Sequence, residues 1–381
     1  MSKVIFRQST YQYDILKPRL YEMMASLGED LFNGNPRVLI KPNLLSPAKP
    51  ERAVLTHPLV VRAVAEYVLN KGGRPQISDS PALGSFEKLL REGGYSKAFQ
   101  GLDVSFQPLE ESVWVDIGEP FGRIEIAKDV MEADVVVNLA KLKTHSQMLL
   151  TLGIKNLFGC IVGLRKPEWH LRAGVDREVF ARLLVQIYKA IQPAVTIVDG
   201  ILAMEGQGPG KSGTPRRLDV LVGSRSAIEA DRAICRMLGM EPDALLTNRA
   251  AANMGLVSKE VYINGDFHII HDFKLPTLGP VTFGPRLLQP VIRKHLVQRP
   301  VVDGKLCKNC AECRQYCPAQ AISFNRGRMI FDYDRCIRCY CCAEICPYGA
   351  VQAVETLPGK IIRRFSKIQN KHSKEVNHGR H

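Results

Sequence analysis

Apolar positions along the first 275 residues recur with two different periods, and the two alternate. Short β-branched or apolar runs at Arg37–Lys41, Pro75–Asp79, Asp134–Leu139, Ala194–Asp199 and Leu218–Gly223 read as strands. Between them the apolar positions repeat every three or four residues. One such stretch begins near Pro58, puts Val60, Val61, Val64 and Val68 on one face and stops at Gly72-Gly73. Another runs from about Asp176, with Val179, Leu183, Ile187 and Ile191 at four-residue spacing. This alternation predicts an α/β domain with a largely parallel sheet flanked by helices. A third helical stretch, 224–239, sets Ala227, Asp231, Ile234, Cys235 and Leu238 on one stripe. A carboxylate on a buried stripe needs a lysine or a ligand, which makes Asp231 a candidate site residue.

The total of 381 residues suits about two domains. With 45% hydrophobic and 24% charged residues, the chain is neither disordered, collagenous nor a disulfide-stapled miniprotein. Its 52 basic against 38 acidic side chains leave +14, a balance that favours anionic partners. Seven of the basic residues and a single glutamate fall in 357–381, which reads as a basic, disordered tail. Nucleic acid is disfavoured as its partner, because no aromatic-rich stacking surface accompanies it. The start, MSKVIFRQSTYQYD, has no apolar segment behind its basic residues, so a cytoplasmic location is expected. The longest apolar stretch, Met148 to Leu164, is interrupted by Lys155 and Asn156, so no transmembrane segment is expected.

Cysteine usage marks the domain boundary. Nine of the eleven cysteines lie between Cys307 and Cys346. Just before them, 276–300 holds five prolines and reads as a stiff linker between an α/β domain, 1–275, and a small C-terminal domain, 301–356. The pattern C-x2-C-x2-C-x3-C-P occurs there twice, from Cys307 to Pro318 and from Cys336 to Pro347. It resembles the bacterial two-cluster ferredoxin run, an α+β module in which the fourth cysteine serves the other cluster. That resemblance implies two [4Fe–4S] clusters, one on Cys307, Cys310, Cys313 and Cys346 and the other on Cys336, Cys339, Cys342 and Cys317. Zinc sites use separated cysteine pairs rather than such quartets, and disulfides suit a cytosolic chain poorly. Cys341 falls outside the register, either as a packed thiol or in a ligand-swapping or redox-sensing role.

In open parallel sheets, ligands bind beyond the carboxyl ends of the strands. At those ends stand Lys41 and Asn43, then Asp79, then Lys141, Lys143 and His145, then Asp199. Gly153-Ile-Lys-Asn-Leu-Phe-Gly159 adds Lys155 and Asn156 inside an apolar run, where an ammonium needs a partner or a ligand. His170 is a further candidate proton donor. Two glycine-rich patterns are decoys. Gly206 to Ser212 lacks the first glycine of a phosphate loop, and strand-like Arg217–Val222 rather than a helix follows Gly208 to Gly213. A glycine-rich lid or turn near Glu205 is expected instead.

Lys41-Pro-Asn-Leu44, Thr56-His-Pro58, Asp79-Ser-Pro81, Lys141-Leu-Lys-Thr-His145, Gly153-Ile-Lys-Asn-Leu-Phe-Gly159, Asp199-Gly200, and Glu205-Gly206 with Gly208-Pro209 together resemble a prokaryotic domain-of-unknown-function family, often fused to a two-cluster ferredoxin module. The resemblance spans about residues 3 to 356 and implies an iron–sulfur protein of undefined reaction, some of whose relatives exchange electrons with a deazaflavin or similar carrier.

These readings converge on an iron–sulfur oxidoreductase. Electrons would pass between two [4Fe–4S] clusters and an anionic organic acceptor, flavin- or deazaflavin-like, held at the strand ends by Lys41, Asn43, Asp79, Lys141, Lys143, Lys155, Asn156, Asp199 and Asp231. His145 would exchange the accompanying proton. The alternative is a non-enzymatic electron carrier whose larger domain docks a redox partner protein.

Overall fold

The computed structural model describes residues 2–82, 84–163, 165–174, 176–276, 297–325 and 327–356. Its main sheet joins β1 (Ser2–Gln8), β2 (Arg37–Pro42), β3 (Arg74–Asp79), β4 (Ser105–Pro108), β7 (Val135–His145), β8 (Leu149–Thr151), β9 (Val195–Gly206), β10 (Gly213–Ser224) and β11 (Val261–Gly265). A separate hairpin pairs β5 (Ser112–Asp116) with β6 (Arg123–Ala127).

The strand order β11-β1-β10-β9-β7-β2-β3-β4 holds five consecutive parallel strands, β9, β7, β2, β3 and β4. From β2 the chain first adds β3 and β4 on one side, then returns to add β7 and β9 on the other. The order therefore reverses between β2 and β7. Beyond the carboxyl ends of those two strands a crevice opens, because the connections leave in opposite directions.

Strand period two accounts for the layering. Val38 and Ile40 of β2, with Val135, Val137 and Leu139 of β7, join one core beneath helices Tyr13–Gly28 and Pro58–Asn70. Leu39 and Val136 face the opposite core, built on helix Arg177–Ile191. The helix starts follow ordinary capping chemistry. Asp176 Oδ1 accepts from the amide of Glu178 at 2.8 Å, and the helix after His57 opens on Pro58. The third expected helix is Ala227–Met237, covering a further core with Val220 and Val222 of β10.

Several expected strands are longer than their apolar runs: 134–139 continues to His145, 194–199 to Gly206, and 218–223 begins at Gly213. The extensions carry polar residues and were not visible as apolar runs. Most of the expected linker, 277–296, and the basic tail, 357–381, lie outside the described residues. The linker's last two positions, Arg299 and Pro300, instead open β12 (Arg299–Val302), which pairs with β15 (Val351–Val354).

The cysteine-rich unit also contains β13 (Ile322–Asn325) paired with β14 (Arg328–Phe331), and the short helices Glu312–Gln315 and Cys341–Ile345. It is a small α+β ferredoxin-like fold packed on the carboxyl ends of the main sheet. The glycine-rich segment between β9 and β10 is a turn against this unit rather than a ligand lid. A Cβ on Gly210 would lie 2.9 Å from the carbonyl oxygen of Glu344, and Ser212 Oγ donates to the Gly349 carbonyl at 3.4 Å. Only a residue without a side chain permits that approach.

One buried brace joins the ends of β7 and β9. Lys141 Nζ donates to Asp199 Oδ2 at 2.7 Å and lies 2.9 Å from the Tyr11 hydroxyl, which donates to Asp199 Oδ1 at 2.8 Å. The Tyr11 ring stacks on His57 with centroids 3.6 Å apart. Removing one member strands the other charge in a buried site. Lys141→Met should therefore destabilise the chain by about 3–5 kcal/mol, while adding Asp199→Leu should recover part of that loss. Denaturant midpoints of the three proteins check this; equal midpoints for Lys141→Met and the parent would contradict it.

Candidate functional site

The reversal in strand order dictates where the site forms. Lys41, Pro42 and Asn43 end β2, Lys143 to His145 end β7, and Asp79 and Ser80 follow from β3. Helix Gly153–Asn156 and the turn Leu157–Cys160 close the crevice from one side, and helix Cys341–Ile345 of the cysteine-rich unit closes it from above. What remains is a cavity of about 100 Å³. Leu44, Leu45, Phe158, Tyr316 and Ile345 form its apolar wall, and Lys41, Asn43, Asp79, Lys155, Asn156, Lys166, His170, Cys341 and Glu344 supply its polar groups.

Most of these polar groups are already tied down. Lys41 Nζ sits 2.9 Å from Asp79 Oδ1, and Asp79 Oδ2 accepts the amide of Leu44 at 2.8 Å. Asn43 Nδ2 donates to Asn156 Oδ1 at 2.8 Å, and Asn156 Nδ2 donates to Asn138 Oδ1 at 2.8 Å. Lys143 lies behind this chain, donating to Asn43 Oδ1 at 2.8 Å and to the Val54 carbonyl at 2.7 Å. Burial, reinforced by the nearby Lys155 charge, brings Lys143 down to about 7. Lys166 donates to the Ser80 carbonyl, and burial brings it to about 8.

Lys155 differs. Among the described residues its ammonium has no hydrogen-bond or ion-pair partner, although it lines the cavity and burial lowers its pKa. Three lysines and two carboxylates line the cavity, so its formal charge is positive. An unpaired ammonium in such a place calls for an anion.

The structure places other predicted residues outside the cavity. Lys141 and Asp199 satisfy each other in the brace. Asp231 accepts the amides of Gly153 at 2.7 Å and Ile154 at 3.0 Å, capping the short helix that carries Lys155 and Asn156. Its partners on the buried stripe are backbone amides rather than a lysine. His145 is fully buried, and its Nδ1 accepts the amides of Gln147 at 3.0 Å and Met148 at 3.2 Å. That network assigns the ring proton to Nε2, which lies 2.7 Å from Glu344 Oε1. Burial lowers the His145 pKa to about 4, so the ring is neutral at pH 7 and stands behind Glu344. Burial would raise the Glu344 carboxyl, but His145, Lys155 and His170 together hold it well below the ordinary range.

Glu344 and Lys166 escaped the sequence reading, and Cys341 stood out there only as falling outside the cluster register. A usable signal was present: Glu344 occupies the place that Gln315 holds in the first cysteine run, and Cys341 the place of Glu312. The two runs differ at every residue between their shared cysteines, and these two positions line the cavity of the larger domain.

The eight in-register cysteines fall into two groups. Cys307, Cys310, Cys313 and Cys346 surround one space; Cys317, Cys336, Cys339 and Cys342 surround another. The amides of Ala321 and Ala350 donate to Cys317 Sγ and Cys346 Sγ, each at 3.2 Å, the kind of donor that supports a metal-bound thiolate. Among the described residues no three His, Cys, Asp or Glu side chains converge as they would on a single ion. Thiolates that each bind a different iron need no such convergence, so the donor sets fit iron–sulfur clusters. In the first group Cys310 is exposed; in the second Cys339 and Cys342 are buried. Cys341 lines both the second cysteine cage and the cavity, so a single residue's thickness divides them.

The family model "Domain of unknown function (DUF362)" matches residues 38–236, and the model "4Fe-4S dicluster domain" matches 299–347. A thylakoid-associated protein of Synechocystis sp. is 35% identical over 303 residues, covering 77% of this chain and 94% of that protein. Electron transport protein HydN of Escherichia coli is 35% identical over 81 residues, 20% of this chain and 42% of that protein. Pyruvate synthase subunit PorD of Thermotoga maritima is 42% identical over 57 residues, 15% of this chain and 58% of that protein. No helix among the described residues is long and apolar enough to cross a membrane.

Two outcomes follow from the site's packing. A Cβ on Gly159 would lie 2.4 Å from Asp79 Oδ1 and 2.6 Å from Lys41 Nζ. Gly159→Ala should therefore part that buried pair and lower stability by about 1–3 kcal/mol, read from denaturant midpoints; an unchanged midpoint would contradict it. Burial also brings His57 and His145 to about 4 and His170 to about 3, from 6.5. Between those values the unfolded chain binds protons that the native chain refuses, so stability should rise as pH increases from about 4 to 6.5. Asp231, raised by burial from 3.8 to about 7, opposes this and is outnumbered. Midpoints measured between pH 5 and 6.5 should climb, and His170→Phe should flatten the climb; a falling profile would contradict the assignment.

Proposed function

The chain belongs to the DUF362 family, joined here to a 4Fe–4S ferredoxin-like domain, and we propose that it passes single electrons between two [4Fe–4S] clusters and an anionic organic acceptor held at the strand-order reversal. Cys341 carries this reading, because it borders both the inner cysteine cage and the cavity. The clusters would be held by Cys307, Cys310, Cys313 and Cys346 on the outside and by Cys317, Cys336, Cys339 and Cys342 on the inside, and they supply one-electron transfer.

The protein's own side chains would then bind and orient the acceptor. Lys155, the unpaired cation, would take its carboxylate or phosphate, with Lys166 beside it. Asn43 and Asn156 are locked by their mutual hydrogen bond and would present fixed polar edges. Phe158 and Tyr316 would flank a flat ring such as that of a flavin or deazaflavin. Lys143, tied to Asn43 and brought near neutrality, suits the uptake or release of the proton that follows an electron better than the neutral, doubly accepting His145 does. His145 would instead hold Glu344 in place. In this division of labour 1–275 binds the acceptor and 301–356 conducts. The names of the electron-transport relatives and the thiol-rich composition favour a reducing, cytoplasmic setting and a redox partner protein at the exposed Cys310 end.

The test is anaerobic reoxidation. The reduced full chain is mixed separately with flavin, deazaflavin, nicotinamide and quinone acceptors while cluster absorbance is followed. One acceptor should reoxidise it fast and saturably, and Lys155→Ala should raise the half-saturating concentration about tenfold or more, the loss of one charge-assisted contact. Slow, unsaturable reoxidation by all of them, with cluster content intact, would reject the acceptor site and leave a carrier of electrons between proteins.

A further inference from the structure

The two cysteine runs are built alike, so the positions where they differ report what distinguishes the clusters. Between the first two cysteines, the outer run carries Lys308 and Asn309 and the inner run Ile337 and Arg338. Asn309 is exposed and donates to the Gly327 carbonyl at 2.7 Å. Arg338, at the equivalent place, is only 4% exposed. Its Nε, Nη1 and Nη2 are all buried without a hydrogen-bond partner, and its guanidinium lies 5.1 Å from the centre of the Tyr333 ring. No carboxylate pairs with it among the described residues.

A buried guanidinium is always charged, and leaving it uncompensated is expensive. Tyr333 lends the face of its ring, which offsets only part of that cost. Arg338 stands in the chain between Cys336 and Cys339, and its neighbours Ile337 and Tyr340 line the inner cysteine cage, so Arg338 and the cage share one neighbourhood. A cluster on four thiolates is a dianion that becomes a trianion on gaining one electron. No carboxylate among the described residues offers Arg338 such a charge, and a cluster in this neighbourhood would.

We propose that Arg338 is the fixed counter-charge of the inner cluster and raises its reduction potential above the value its burial would impose. The inference rests on the reading of the cysteine cages as cluster sites. Burial disfavours the added negative charge and pushes a potential down, whereas an adjacent cation stabilises the reduced form and pushes it up. The outer run obtains its stabilisation from solvent at exposed Cys310 and needs no such residue. Arg338 thus keeps the inner cluster from becoming a barrier between the outer cluster and the cavity.

The experiment is a redox titration of the full chain, purified anaerobically, with dithionite as reductant and the clusters followed by electron paramagnetic resonance. Iron and sulfide are counted first, because a chain without clusters refutes the underlying reading rather than the role of Arg338. In Arg338→Gln one of the two midpoints should fall while the other stays. Lys308→Gln, at the exposed outer loop, should leave the falling midpoint untouched. If Arg338→Gln does not assemble its clusters, Arg338→Lys carries the test: its shorter, more hydrated cation should lower the same midpoint by a smaller shift. Intact clusters with unmoved midpoints, or two midpoints that move together, would overturn the proposal.

Discussion

The seating of helix Cys341–Ile345 over the gap between β2 and β7 is the constraint on which the rest of the site depends. Glu344 reaches down to His145 at 2.7 Å, and Gly210, lacking a side chain, lets the helix backbone approach. Were the helix a few ångströms higher, the cavity would open to water, Lys155 would become an ordinary solvated lysine, and the inner cysteines would no longer border the site. His145 receives two backbone amides on Nδ1, which fixes the ring that fixes Glu344. The geometry of the interface therefore traces back to the turn after β7.

Charge compensation follows from that burial. Five of the lysines and histidines near the strand ends are held by named partners: Lys41 by Asp79, Lys141 by Asp199, Lys143 by Asn43, Lys166 by Ser80, and His145 by Glu344. Two cations stand outside this pattern, Lys155 in the cavity and Arg338 beside the inner cage. Both lie where an anion foreign to the polypeptide would complete the balance. Among the described residues, an arrangement that leaves these two buried cations open points to ligands, since a buried polar network is stable only when its members are satisfied.

Much of this was legible in the residues. The α/β class followed from alternating periods, and the ferredoxin resemblance named the eight cysteines that stand around two spaces in the fold. Lys41, Asn43, Asp79, Lys155 and Asn156 stood out as polar groups among apolar neighbours, and the structure gathers them around one cavity. Lys141, Asp199 and Asp231 carried the same signature for another reason: a buried charge looks alike in sequence whether a ligand, a side chain or a helix end satisfies it. Strand order was invisible, because pairing between β2 and β7 joins segments about a hundred residues apart. Glu344 and Cys341 acquire meaning only through docking, which no local pattern encodes.

Placement of a redox group against the cavity is the centre of the account, and iron-edge anomalous diffraction from anaerobically grown crystals tests it most directly. The account predicts two compact iron peaks, one within the cage of Cys317, Cys336, Cys339 and Cys342, separated from the cavity by Cys341, and one near exposed Cys310. Iron only at the Cys310 end, or an inner peak walled off from Lys155 by a displaced Cys341–Ile345 helix, would contradict it.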